Sequence, residues 1–287
     1  MPLRWHRIFE GLQMIKTHTG KATAIELNAR ASTDFDAKLA QTQALLVQAA
    51  KTYPSEQITQ ASSLGAEDMV VSHLIRSLGL KISIFVLDTG MLHDETLALL
   101  ADLKAAARVP VHVYAPVHEA VVSFVKREGK DPMYRSIELR KACCNIRKME
   151  PLARALDGKA AWVTGLRREQ SGARAEVPVT DTSNSVHVKF NPLADWTWGD
   201  VWHYISLHKV AYNALHDRFY PSVGCAPCTR AISVGEDFRA GRWWWEDESA
   251  KECGLHAQDH AQDQVQETRK ETTDITQITK TTEETTA

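Results

Sequence analysis

Residues 57–90 read QITQASSLGAEDMVVSHLIRSLGLKISIFVLDTG. Residues 57–64 predict a strand, and residues 67–78 carry the apolar spacing of a helix. Residues 81–87, KISIFVL, form a short apolar run expected of a buried strand. Both strands end in small polar turns, SSLG and DTG. The same alternation spreads outward. A helical face at 35–53 precedes it. After it come helix 91–108, strand 110–114, helix 115–126, a helical stretch at 137–156 that Pro151 interrupts or restarts, and strand 160–164. A further helix is expected at 198–208. Strands separated by helices of this length predict an α/β fold, a twisted parallel sheet with helices on both faces and right-handed crossovers.

The 287 residues carry 34 Lys and Arg against 36 Asp and Glu, a net charge of −2, with 44% hydrophobic and 24% charged residues. This is ordinary soluble globular usage, and it excludes a collagenous, wholly disordered or nucleic-acid-coating chain. Met1 to Gly20 has no uninterrupted apolar segment of the targeting type. No window approaches the roughly 18 apolar residues of a membrane span, so a cytoplasmic protein that binds neither membrane nor nucleic acid is expected. The expected organisation is one α/β domain over 1–256 with a mobile segment near 246–256. A Thr-, Gln- and Glu-rich tail at 257–287 is too poor in apolar residues to offset its ordering entropy. The polar run RREQSGARAEV at 167–177 reads as a mobile loop. A homo-oligomer is compatible with all of this.

In an open α/β sheet, ligands lie at the carboxyl ends of adjacent strands. Ser62, Ser63 and Gly65 open a helix there, where exposed N–H groups and the helix dipole favour an anion. A simple N-capping turn is the alternative reading. The turn Leu87-Asp88-Thr89-Gly90 adds a second polar edge, with the Leu87 backbone able to read an adenine. Two such turns suit a nucleotide. The turn lacks the Gly-Lys-Ser/Thr ending of a Walker motif.

The five cysteines are too sparse for a disulfide scaffold. Cys143-Cys144 and Cys225-Ala-Pro-Cys228 form two clips that suggest a metal centre; structural zinc and unliganded core cysteine are the competing readings. Adjacent cysteines turn poorly toward one ion, whereas an iron–sulfur cube spreads its ligands over separate irons, which favours a cluster. Lys148 stands four residues after Cys144, on the same helical face, and an ammonium there would offset the negative charge of four thiolates. Otherwise it is a solvated lysine. Cys253, in KECGLH, has Lys251 and His256 close by to lower its pKa. It reads as a nucleophile on a mobile terminus or as a leftover surface thiol. Arg239 and Arg242, three apart, can converge on an oxyanion. Arg167, Arg168 and Arg174 add anion-binding charge. The following Trp243-Trp244-Trp245 reads as core or lid packing rather than a nucleotide-stacking platform.

Taken in order, SSLGAED (62–68), LDTG (87–90), KACCNIRKMEPL (141–152), GLRREQSGARA (165–175), CAPC (225–228), EDFRAGRWWW (236–245) and KECGLH (251–256) resemble the assimilatory adenylyl-sulfate reductases. That family groups with the phosphoadenylyl-sulfate reductases. The resemblance implies an adenine-nucleotide α-hydrolase-like fold related to the PP-loop enzymes. It implies a 4Fe–4S cluster on Cys143, Cys144, Cys225 and Cys228, and attack by Cys253 on adenosine 5′-phosphosulfate with release of AMP. Thioredoxin or glutaredoxin would then release sulfite. Lys148, Arg239, Arg242 and His256 would surround the phosphosulfate. Ser62, Ser63, Gly65, Leu87, Asp88, Thr89, Gly165 and Arg174 would line the nucleotide site. Presence of both cysteine pairs points to adenylyl sulfate over its 3′-phosphorylated form. Three readings compete: a cluster-containing reductase of 3′-phosphoadenylyl sulfate, a PP-loop tRNA-thiolating enzyme, against which the SGGxDS turn is missing and no basic surplus exists, and a zinc-bound nucleotide sensor in which Cys253 is dispensable.

Overall fold

The computed structural model describes residues 22–247. In chain order its main elements are α1 (Ala24–Asn28), α2 (Phe35–Thr52), β1 (Ile58–Ser62), α3 (Ala66–Ser77), β2 (Ser83–Leu87), α4 (Asp94–Ala106) and β3 (Val111–Tyr114). These are followed by α5 (His118–Glu128), α6 (Ile137–Cys144), α7 (Glu150–Leu156), β4 (Ala161–Val163), β5 (Thr180–Asp181), β6 (Val188–Phe190) and α8 (Trp198–His208). The expected helices and strands are thus present, with ends shifted by a few residues.

The six strands lie in the order β3-β2-β1-β4-β6-β5. Pairings β1–β2, β2–β3, β1–β4 and β4–β6 are parallel, and β5–β6 is antiparallel. That edge departs from the wholly parallel sheet expected. Its physical reason is the short connection from Asp181 to Val188, long enough for a hairpin-like return and too short for a parallel crossover. Neither β5, β6 nor the five-residue α1 was foreseen, since each is too short to show a period.

The pleat sends alternate side chains to two cores. Ile84 and Val86 pack with Ile58, Val163, Val70 and Trp202 on one face. Phe85 and Trp162 pack with Leu152, Ala155 and Leu156 of α7 on the other, joined by Ala61 and Leu87. Helices therefore cover both faces. Chain order runs outward from β1 through β2 to β3, then restarts at β4 on the opposite side of β1. The crevice beyond β1 and β4 is thus the topological switch point, the usual ligand site of such sheets.

Two local expectations are resolved, one sharpened and one corrected. Of the two readings of Pro151, an interruption or a restart, the structure shows the restart. Asn145–Met149 is a turn of π-helix that links α6 to α7, and Pro151 sits in the first turn of α7. The wider π turn accommodates a ring that would otherwise crowd the preceding turn. The polar run after Gly165 is held in place: it forms short 3-10 turns at Arg168–Gln170 and Gly172–Arg174, with Arg167 and Arg174 buried. Among the described residues no helix is long and apolar enough to cross a membrane. Cys253, His256 and the 257–287 tail lie outside the described residues.

Candidate active site

Three turns meet above the sheet, after β1, β2 and β4. Leu64, in the first, is fully buried with φ of 63°, a left-handed backbone that a leucine adopts at a cost of about 1 kcal/mol. Asp68, in the first turn of α3, ties the first loop turn to the third. Its Oδ2 accepts from the Ser63 N–H at 2.7 Å and the Ser63 hydroxyl at 2.6 Å, and its Oδ1 accepts from the Gly165 N–H at 3.0 Å. Its backbone carbonyl accepts from the Gln60 amide of β1 at 2.8 Å. Burial pushes the Asp68 carboxyl up to about 6 despite these donors. Gly165 is required by this contact, because a Cβ there would stand 2.5 Å from Asp68 Oδ1 and 2.9 Å from Glu67 Cβ.

In the first turn, read from sequence as an anion cradle or a capping turn, the N–H groups of residues 63–65 are taken within the protein. The Ser63 N–H is taken by Asp68, the Leu64 N–H turns to Ser62 Oγ at 3.3 Å, and the Gly65 N–H to Ser63 Oγ at 3.4 Å. The cavity it borders is nonetheless shared by most residues singled out from sequence. Ser62, Ser63, Gly65 and Leu87 line it, as do Thr89, Gly165 and Arg174, and so do Lys148, Arg239 and Arg242 from later in the chain. Asp88 is not among the lining residues. Its carboxylate accepts from the Gly90 N–H at 2.9 Å and shapes the second turn, whose Gly90 has φ of 68°.

Anion-binding charge comes from the far wall. Arg242 is buried, stacks 4.7 Å from the Trp243 ring and donates to the Val223 carbonyl at 3.3 Å. Its guanidinium lies across Gly224, where a Cβ would come within 2.5 Å, and its Nε has no hydrogen-bond partner among the described residues. A cation so confined retains donor capacity for an oxyanion.

Lys148 and Cys225 line this cavity and also a second, smaller chamber behind it. Cys143, Cys144 and Cys228 line that chamber too, with Met91, Met133 and Arg140. The LDTG turn reaches it: Thr89 Oγ1 lies 3.2 Å from Cys225 Sγ, and Arg147 donates to the Thr89 carbonyl at 2.7 Å. Burial, with Cys225 as a second cause, pushes the Cys228 thiol up to about 12, and burial raises Cys143 as well. Thiols in this state make poor nucleophiles and need a cation to exist as thiolates. Among the described residues, no three His, Cys, Asp or Glu converge as ligands of one metal ion.

The tryptophan run packs beside the chamber. Trp243 is fully buried against Cys143, Cys225 and Cys228, so it serves as core packing, whereas Trp244 is exposed. Arg140 fixes this segment through paired contacts to Glu246, Nε–Oε1 at 3.0 Å and Nη2–Oε2 at 2.6 Å, and lies 4.6 Å from the Trp243 ring.

Residues 57–231 match the phosphoadenosine phosphosulfate reductase domain. The chain belongs to the phosphoadenosine phosphosulfate reductase family. Relatives named adenosine 5′-phosphosulfate reductase include one from Allochromatium vinosum, 53% identical over 71% of this chain and 80% of its own length. A second, from Burkholderia cepacia, is 47% identical over 83% of this chain and 92% of its own length. Among solved structures, a phosphoadenylyl-sulfate reductase from Candida auris in a phosphate complex has a TM-score of 0.56 at 27% identity, covering 69% of this chain and 98% of that one. An FMN adenylyltransferase from Candida glabrata shares the fold alone, at a TM-score of 0.51 and 12% identity, over 83% of this chain and 86% of that one. The family acts on sulfur as oxidoreductases, and the PP-loop-related α/β fold expected from the motifs is the one observed.

Within this family site, sequence reasoning missed the residues that hold the turns together. Glu67 and Asp68 stood in the quoted SSLGAED turn without a role. Glu67 accepts from Arg167 Nε at 3.0 Å and from Gln170 Nε2 at 3.0 Å, and Gln170 Oε1 accepts from Arg174 at 2.6 Å. The available signal was an acidic pair followed, about a hundred residues later, by a basic pair. Charge pairing across that distance is a property of the fold.

Proposed function

We propose that this protein reduces adenosine 5′-phosphosulfate to sulfite and AMP. The observation that carries the reading is the shared wall: Lys148 and Cys225 border both the nucleotide-sized cavity and the four-cysteine chamber. Adenosine would lie over the strand ends, with its phosphosulfate directed at Lys148, Arg239 and Arg242. Those cations reduce the repulsion between an attacking thiolate and an anionic sulfonyl group, and they stabilise the departing phosphate.

The nucleophile in this reading is Cys253. Its thiolate forms a bond to the sulfonyl sulfur as the bond from that sulfur to the bridging oxygen breaks. AMP leaves with the electron pair, and an S-sulfo cysteine remains. A thiolate of thioredoxin or glutaredoxin attacks Cys253 Sγ, sulfite departs with the electron pair of the S–S bond, and the partner's second thiol resolves the mixed disulfide. The partner dithiol thus supplies both electrons. His256 would assist the thiolate.

Cys143, Cys144, Cys225 and Cys228 would hold a 4Fe–4S cluster. Four soft thiols line one chamber, and the adjacent Cys143 and Cys144 turn poorly toward a single ion, which suits a polynuclear group better than zinc. When bound, such a cluster would organise the chamber and set the field felt by Lys148.

Anaerobic purification, iron and sulfide analysis, and mass spectrometry after addition of adenosine 5′-phosphosulfate test the reading. The expected result is a brown protein with about four irons that gains one SO3 unit on Cys253. A colourless protein, or Cys253→Ser with full sulfite production, overturns the corresponding part. The 3′-phosphorylated nucleotide is the competing substrate, supported by the likeness to the Candida auris enzyme. The ratio of kcat/KM for the two nucleotides separates them.

A further inference from the structure

The segment carrying Arg239 and Arg242 turns on a strained residue. Trp243 is fully buried and has φ of 42°, a left-handed backbone that a side chain adopts only where its neighbours over-determine it. Two guanidiniums share its ring: Arg242 lies 4.7 Å from it, and Arg140 of α6 lies 4.6 Å from it. Like charges so close repel each other. The Glu246 carboxylate offsets one of them, accepting from Arg140 Nε at 3.0 Å and from Nη2 at 2.6 Å. The side chains of this pair are 2% and 3% exposed, so solvent and salt screen it little. The Glu246 N–H donates to the Trp243 carbonyl at 2.9 Å, and the Trp243 N–H donates to the Cys228 carbonyl at 3.2 Å. Hydrogen bonds on both sides of Trp243 thus fix the turn that lays Arg242 across Gly224 at the wall of the nucleotide cavity.

We propose that Arg140 is a positioning residue for the nucleotide: through Glu246 and Trp243 it holds the Arg242 guanidinium at the cavity wall, aimed at the phosphate end of the ligand. The inference rests on the reading that Arg242 faces the phosphosulfate. Arg140 lines the cysteine chamber and is not among the residues lining the nucleotide cavity, so its effect on a nucleotide passes through Trp243. Without Arg140, Glu246 becomes a buried anion beside the Trp243 turn. The left-handed backbone then loses a contact that holds it, and Arg242 loses its aim.

The test uses the full-length protein, purified anaerobically, with AMP and adenosine as probes in calorimetric titrations. Adenosine lacks the phosphate, so the ratio of the two affinities reads the cations at the phosphate end. Binding is read without turnover, so the result is independent of the nucleophile and of the electron donor. Arg140→Met should weaken AMP binding by about tenfold or more and change adenosine binding by less than about twofold. In an Arg242→Ala background the same substitution should change AMP binding by less than about twofold, because the group it acts through is gone. Iron content is measured alongside. If the methionine variant fails to fold or loses iron relative to the wild type, Glu246→Gln carries the comparison with the same expectations, since it weakens the same pair from a residue that does not line the chamber.

An equal loss of affinity for both probes would mark Arg140 as a scaffold only and overturn the proposal. An undiminished effect in the Arg242→Ala background overturns it as well, as does unchanged AMP binding on breaking the pair. Unchanged AMP binding by Arg242→Ala alone strikes the reading that this cation faces the phosphate, and a wild type that binds neither probe strikes the reading of the cavity. Both are thereby distinguishable from a failure of Arg140 to position Arg242.

Discussion

Replacement of Arg167 by methionine would expose what holds the nucleotide cavity in shape. Arg167 is fully buried, and Glu67 beside it is nearly so. The guanidinium donates to Glu67 Oε1 through Nε at 3.0 Å, to Glu169 at 2.7 Å and to the Trp196 carbonyl at 3.3 Å, with the Trp198 ring 5.3 Å away. Methionine fills much of the volume but leaves Glu67 as a buried anion whose remaining polar partner is Gln170. Breaking one side of a buried pair costs about 3–5 kcal/mol. At about 2–4 °C per kcal/mol for a domain of this size, the melting temperature should fall by roughly 6–20 °C. Urea unfolding followed by circular dichroism measures the loss directly, as a lower midpoint with an unchanged slope. The double variant Glu67→Gln with Arg167→Met removes both charges and should recover at least about 2 kcal/mol of it, since an uncharged pair carries little desolvation penalty. A single-variant loss below about 1 kcal/mol, or a double variant as unstable as the sum of its parts, would refute the reasoning.

Other outcomes follow from the same geometry. Gly165→Ala places a methyl group 2.5 Å from Asp68 Oδ1, so it should separate the β1 and β4 turns and weaken AMP binding by about tenfold or more, read by calorimetry. Asp68 has a folded pKa raised to about 6 from 3.8, so the folded state holds more protons than the unfolded state between those values. Its contribution therefore costs stability as pH rises from about 4 to about 6, amounting to roughly 3 kcal/mol at neutral pH. Asp68→Asn should flatten that part of the stability–pH curve of the nucleotide-free protein, measured by urea unfolding across the window. Lys148→Met should lower kcat/KM for adenosine 5′-phosphosulfate by about a hundredfold while leaving iron content unchanged, because the lysine faces the chamber without being one of its thiols.

The regular elements were legible because their periods are local. A five-residue apolar run such as Ser83–Leu87 and a twelve-residue amphipathic stretch such as Ala66–Ser77 announce themselves within one window. The two-residue β5 and three-residue β6 cannot, and the antiparallel edge they form depends on pairing with Ala161–Val163 far away in sequence. The 167–177 run illustrates the opposite error. Its composition is that of a mobile loop, yet Arg167 and Arg174 are buried because Glu67 and Gln170 receive them. Asp88 drew attention through the LDTG turn, and its carboxylate serves that turn.

The sequence by itself determined the strand–helix alternation, the two polar turns, the cysteine clips and the family, since each is carried by residues close together in the chain. Only the tertiary structure decided how they join. It brought Lys148 and Cys225 into a wall shared by two cavities, and it gave the Ser63 donors of the Ser62–Gly65 turn, readable as an anion cradle or a capping turn, to the Asp68 carboxylate. The physical reason is that a hydrogen-bond donor in a turn is satisfied by whichever acceptor the fold brings within 3 Å, and local sequence does not record which acceptor that will be.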